Sequence, residues 1–397
     1  MHPVLVRYFK GRRAKLRLER LRCFSIDLPL KTGKYVMSHG RELERIETTV
    51  VELTADDGTV GYGEACTLGT NYIEGFAATV QATIRELTPV VLEAPVFGVD
   101  VTLTRMDAAV EGNWAGKAAI DAALWDLRGR ALGLSVAALL GGTNQEDYLV
   151  FHPISLTEPA AMASEASHMA EQGYRAWQLK LGDDPLDDAK RLEAVANALE
   201  GCSDFMTSDA NRGWTMAQAI RFVDRVAGID TFVEQPCATT RELRQIRSRC
   251  RIPIIIDEGV RTAEDLLYCL RIGAADAVNI KPVRVGGLTK AARLRDVAQA
   301  AGMMIMIDDP MGGELSSAGI GHLAVGCRPE SFLAASDMPE THLIPNHGIA
   351  LSGGVTMTKG RARLSGGAGL GVDINTQALG EPLFAMWNSD GRGLVQE

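Results

Sequence analysis

No apolar run in this 397-residue chain approaches the roughly 18 residues needed to cross a bilayer, so no membrane partner is expected. Its seven cysteines are scattered and odd in number, with no C-x-x-C spacing, which argues against a thiolate zinc site or a disulfide framework and fits a reducing cytoplasm. Neither G-x-G-x-x-G nor G-x-x-x-x-G-K-[ST] stands at a strand end, so a dinucleotide or P-loop site is not indicated. Positive charge is in the minority, 41 basic against 50 acidic side chains for a net of −9, and such a surface repels phosphate backbones. No nucleic-acid partner is expected. The opening MHPVLVRYFKGRRAKLR lacks the apolar core of a secretory signal. It carries six Lys/Arg and no acid, and reads as a solvated tail or an early start codon rather than a nucleic-acid arm or organelle presequence.

What is present is ordinary globular material, 46% hydrophobic and 23% charged, long enough for two or three domains. From Leu21 to Glu64 apolar and polar residues alternate, with Asp56-Asp57-Gly58 as a hairpin turn between β-rich runs. Helical spacing follows from about Tyr72 to Leu140, clearest at Ile120, Ala123, Leu124 and Leu127. After Gly141-Gly142 the text becomes eight short apolar runs, each followed by an amphipathic helix, with strand ends near His152, Lys180, Asp209, Glu234, Asp257, Lys281, Asp308 and Ser336. Eight βα units of nearly constant length predict a parallel barrel, because each parallel crossover needs one helix. The fold class is therefore α/β, a (β/α)7-8 TIM-like barrel with an N-terminal α+β capping domain completed by the C-terminal tail. We divide the chain into a basic extension (1–20), the capping domain (21–142), the barrel (143–344) and a Gly-rich, irregular tail (345–397) that returns to the capping domain.

The C-terminal ends of barrel strands converge on one mouth, so the polar residues there can meet a ligand. Three consecutive strands end on Asp209, Glu234 and Asp257, and the strands outside them on Lys180 and Lys281. Three carboxylates held together repel unless a cation lies among them, and oxygen-only ligands favour a hard divalent ion, Mg²⁺ above all. Each acid could instead pair with a neighbouring base or cap a helix. Burial beside a cation would depress the lysine pKa values towards the roughly 7 to 8 that suits a general base. A salt bridge is the plainer reading of either lysine alone. Asp308, Asp309, Asp337 and Glu340 add acids at the seventh and eighth strand ends, which suggests a cationic group on the substrate, with helix capping as the alternative. Loops around Thr32–Glu42, with Tyr35 and His39, and Thr67–Glu74, with Tyr72, are expected to cover the mouth.

These residues resemble the enolase superfamily over nearly the whole chain from Leu21. The segment KAAIDAALWDLRGRALGLSVAALLGG (Lys117–Gly142) is similar to the signature closing the capping domain of mandelate racemase and muconate lactonizing enzyme relatives. The series Lys180, Asp209-Ala-Asn211, Glu234-Gln-Pro236, Asp257-Glu258 and Lys281 resembles the dipeptide epimerase and muconate lactonizing type. The resemblance implies Mg²⁺ on Asp209, Glu234 and Asp257, with Gln178, Asn211 and Glu258 behind them. It also implies a Lys180/Lys281 acid/base pair that takes the α-proton of a small carboxylate through an enediolate. Gln178 departs from the family's frequent Lys-x-Lys and removes one source of tuning for Lys180. No His-Asp dyad is evident, against the mandelate racemase arrangement itself. The Thr67–Glu74 loop, QLKLG and DDPMGGE resemble relatives acting on proline derivatives. The eighth strand offers no Trp or Tyr to a quaternary nitrogen, which points to a secondary or primary ammonium; within what the resemblance implies, the expectation is dehydration of cis-3-hydroxy-L-proline. The alternatives are epimerisation of a proline or other amino-acid derivative, a cycloisomerase or o-succinylbenzoate synthase-like reaction, or a barrel kept as a binding module. Family habit and apolar cap helices make a homo-oligomer the expected assembly.

Overall fold

The computed structural model describes residues 16–31, 33–37, 40–336, 349–388 and 395–396. Strands Leu18–Pro29, Arg45–Ala55 and Val60–Cys66 form an antiparallel meander whose second turn is the Asp56-Asp57-Gly58 corner, with Gly58 at φ +84°. The first strand thus begins inside the segment set apart as a basic extension, with Leu18 opposite Ala55. Helices Ala77–Leu92, Val99–Ala109 and Trp114–Leu132 cover one face of this sheet. Gly61 and Gly63 let the last of these lie against the sheet, since a Cβ at either position would collide with the backbone of Leu127 or Ala119.

Eight parallel strands follow: Phe151–Ile154, Ala176–Lys180, Phe205–Asp209, Phe232–Glu234, Ile254–Ile256, Ala277–Ile280, Met304–Ile307 and Phe332–Ala335. Each pairs with the next, and a bridge from Val150 to Ala335 links the ends into a nearly closed barrel. Phe151, Ala176, Phe205, Ile255, Ala277, Met306 and Ala334 fill its interior as one apolar cluster. A strand repeats every two residues, so the inward positions above this plug are Gln178 and Lys180, Thr207 and Asp209, Glu234, Asp257, Asn279 and Lys281, and Asp308. The interior is apolar below and ionic above.

The tail is more regular than its glycines suggest. Val355–Thr358 and Arg361–Leu364 form a hairpin that extends onto Tyr148–Leu149, and Ala350–Gly353 pairs with Val372–Ile374. Strand Phe384–Trp387 then adds to the free edge of Leu18–Pro29. These strands are three or four residues long and mostly half-exposed, so they lack the apolar alternation that would mark them in sequence. Among the described residues, the cysteines are free thiols and no helix is long and apolar enough to cross a membrane.

Candidate active site

Pairing register sets the site. Lys180 stands opposite Asp209, and Asp209 opposite Glu234, so three ionisable side chains leave three adjacent strands at one height. Glu234 pairs with Ile255, which puts Asp257 one inward position higher; Ile280 pairs with Ile307, which sets Lys281 beside Asp308. All six are buried.

Lys180 donates to Asp209 Oδ2 at 2.6 Å. Lys281 is ion-paired with Asp308 and stands 3.6 Å from Asp257 Oδ2. Burial pulls each ammonium towards neutrality, yet Asp209 for Lys180, and Asp257 with Asp308 for Lys281, outweigh it and raise both pKa values well above the usual lysine value. The depression expected of the two lysines is for amines beside a bound cation; paired directly with carboxylates, both are held as ammonium ions.

Glu234 has different company. Its Oε2 accepts from Gln178 Nε2 at 3.0 Å and its Oε1 from Asn279 Nδ2 at 2.7 Å, both neutral amides. Burial, then the Asp209 and Asp257 charges, hold its carboxyl well above the normal range. Gln178 thus supports Glu234 rather than Lys180. Asp257 Oδ1 accepts from Arg284 Nη1 at 2.5 Å, while its Oδ2 has no hydrogen-bond donor. The donor set suits a hard divalent ion in kind: three carboxylates, one with only neutral donors and one with an orphaned buried oxygen. Among the described residues no three His, Cys, Asp or Glu side chains converge as a ready-made ion site, because Asp209 is turned to Lys180 and Asp257 to Arg284. An ion would share these oxygens with those two cations.

The supporting shell is dense. Asn211 donates from its backbone to Asp209 Oδ1 at 2.9 Å and from Nδ2 to Glu258 Oε1 at 3.3 Å. Burial and Asp257 push the Glu258 carboxyl up to about 7. Tyr72 lies with its ring 5.8 Å from Lys281 Nζ and 5.5 Å from the Arg41 guanidinium, in the field of Asp257, Lys180 and Glu258 as well. Tyr35 is buried in the field of Lys180, Asp209, Asp308 and Lys281. Asp308 and Asp309, expected to meet a cationic substrate, are engaged by the protein: Asp308 holds Lys281, and Asp309 accepts from Val283 N at 3.1 Å. Nor does Asp309 cap the helix that follows it, Glu314–Ala324, which begins on Gly313; it bonds the turn Pro282–Val285 instead. His39, Asp337 and Glu340 lie outside the described residues.

Sequence reasoning missed three residues here. Arg284 also donates to Val260 O and Asn279 O, and its only signal was the Arg three places after Lys281. Asn279 was legible only as the inward position two before Lys281. Gln235, at φ +36°, accepts from Asp257 N at 2.8 Å and Gly259 N at 3.1 Å, which fixes the turn presenting Asp257.

Comparison with known proteins gives this site its lineage. A family model described as enolase C-terminal domain-like matches residues 161–378, and one described as the mandelate racemase / muconate lactonizing enzyme N-terminal domain matches 34–141. The chain belongs to the enolase superfamily. Within this superfamily it is 36% identical to cis-3-hydroxy-L-proline dehydratase of Roseibium aggregatum, over 93% of this chain and 99% of that protein. It is 28% identical to N-succinyl-L-Arg/Lys racemase of Bacillus cereus, over 92% and 98%. A crystal structure of an enolase superfamily member from Roseovarius nubinhibens, complexed with magnesium, superposes with a TM-score of 0.87 at 31% identity, covering 94% of this chain and all of that one. Such relatives are named dehydratases, racemases, epimerases and cycloisomerases, and this chain is an enzyme of that superfamily.

Proposed function

We propose that the protein is a Mg²⁺-dependent enzyme that removes the α-proton of a small amino-acid-type carboxylate, and that its reaction is the dehydration of cis-3-hydroxy-L-proline. The observation that carries this reading is the placement of two buried lysines, Lys180 and Lys281, on either side of Asp209, Glu234 and Asp257 at the strand ends. Asp209, Glu234 and Asp257 hold the ion, which when bound supplies positive charge to the substrate carboxylate. One lysine, having first released its own proton to solvent so that it acts as the neutral amine, takes the α-proton; the other, as the ammonium, delivers a proton to the departing 3-hydroxyl, so that water leaves. Arg284 keeps Asp257 in place, while Gln178 and Asn279 do the same for Glu234. Tyr35 and Tyr72 close the mouth and exclude water from the amines.

Epimerisation needs the same two amines and differs only in the fate of the intermediate. Dehydration is preferred on the 36% identity to a dehydratase against 28% to a racemase. Turnover of cis-3-hydroxy-L-proline, followed by loss of substrate and by optical inversion, separates the two. Lys180→Ala and Lys281→Ala are each expected to lower product formation by at least about a thousandfold, the usual worth of a positioned acid or base or more. Normal turnover in both variants contradicts the two-lysine mechanism.

A further inference from the structure

The signature run Lys117–Gly142 lies on and after helix Trp114–Leu132, away from the strand ends, yet it buries two carboxylates, Asp121 and Asp126. Asp126 accepts from Tyr62 N, Leu370 N and Arg130, and so ties the helix to its own sheet and to the tail. Asp121 reaches into the barrel domain. Its Oδ2 accepts from Thr289 N at 2.8 Å and its Oδ1 from the Thr289 hydroxyl at 2.7 Å, while that hydroxyl accepts from Trp125 Nε1 at 2.8 Å. Thr289 is in the first turn of helix Leu288–Ala300, whose free N–H groups and dipole favour an acid there.

Directly before that helix is Gly287, at φ +123°, where a Cβ would stand 2.5 Å from Asp121 Oδ2. Gly287 N and Gly286 N donate to Pro282 O at 2.8 and 3.1 Å, and Val285 N donates to Lys281 O at 3.1 Å. The segment after Lys281 is thus a single tight turn, Pro282–Val285, pinned by three carboxylates: Asp309 on Val283 N, Asp257 on Arg284, and Asp121 at its far end. Two of these belong to the barrel. The third comes from the capping domain.

We propose that Asp121 is a positioning residue for Lys281: by gripping Thr289 against Gly287 it holds the turn that aims the Lys281 amine, so that the capping domain sets one half of the acid/base pair. This rests on the role given to Lys281 above. The isosteric Asp121→Asn variant presents a donor where Thr289 needs an acceptor, and Thr289→Val removes the hydroxyl while leaving the backbone donor.

The test is hydrogen–deuterium exchange of the full chain by mass spectrometry, read on peptides covering 282–289 and 176–182, together with turnover of cis-3-hydroxy-L-proline with Mg²⁺. In Asp121→Asn the 282–289 amides are expected to exchange about tenfold faster while 176–182 keeps its wild-type rate. In the same variant kcat falls about tenfold and KM stays within about twofold. Thr289→Val is expected to show the same pattern at smaller size. Equal acceleration of both peptides, an unchanged 282–289 segment, or faster exchange there with unaltered kcat overturns the proposal. The underlying reading fails differently: Lys281→Ala would turn over normally, or the wild type would leave this substrate untouched, and the exchange pattern then decides the grip of Asp121 alone.

Discussion

Glu234 keeps a buried carboxylate between two others with only amide donors to steady it, and Asn279 supplies the shorter of those bonds. Replacing Asn279 by Leu leaves Glu234 free to turn and is expected to weaken Mg²⁺ binding by about 10- to 100-fold, measured by isothermal titration; unchanged affinity contradicts the assignment of Glu234 to the ion. A second buried group reports on stability rather than chemistry. His322 accepts from Ala137 N at 3.1 Å through Nδ1, and burial, outweighing a backbone hydrogen bond with Leu370, pushes its pKa from 6.5 down to about 4. The folded chain therefore holds the neutral ring while the unfolded chain takes up the proton first. The stability at stake, about 3 kcal/mol, is present above pH 6.5 and is lost as pH falls towards 4. Melting temperatures at pH 7 and pH 4.5 should differ less in His322→Gln than in the wild type; equal differences contradict the assignment. At this scale the residues legible in sequence are those that end strands, because Lys180, Asp209, Glu234, Asp257 and Lys281 follow apolar runs that locate them. Arg284 and Asn279 were hidden, since their partners lie on other strands and only the barrel's stagger brings them together.

The two-residue period of the strands is what turns that list into a site. Apolar Ala176, Phe205, Ile255, Ala277 and Met306 sit at the same parity as the ionic residues above them, so one alternation both plugs the barrel and charges its mouth. Contact between elements of the two domains is equally specific. Glu64, on the cap strand Val60–Cys66, accepts from Thr48 Oγ1 at 2.8 Å, Gly313 N at 2.6 Å and Ser316 N at 3.0 Å, and thereby caps helix Glu314–Ala324 across the domain boundary. Glu64→Ala strands these donors and is expected to destabilise the protein by about 2–4 kcal/mol in urea unfolding; a loss below about 0.5 kcal/mol contradicts this role. The meander was readable because its strands alternate over many residues, and the barrel because its short runs are buried and recur at a nearly constant spacing. The tail was not, because its strands Val355–Thr358 and Arg361–Leu364 are short and half-exposed, and borrow their order from Tyr148–Leu149.

Across the whole molecule, the capping domain supplies Tyr35 and Tyr72 over the mouth, Glu64 on the seventh loop and Asp121 behind the sixth, while the barrel supplies the charges. The most decisive measurement follows the α-proton itself: cis-3-hydroxy-L-proline incubated with the protein in D₂O, with and without Mg²⁺, and read by NMR. We expect α-proton exchange or water loss with the metal, neither after its removal by chelation, and neither in a Lys180→Ala/Lys281→Ala double variant. Exchange that persists without Mg²⁺, or in the double variant, contradicts a metal held by Asp209, Glu234 and Asp257 between two working lysines.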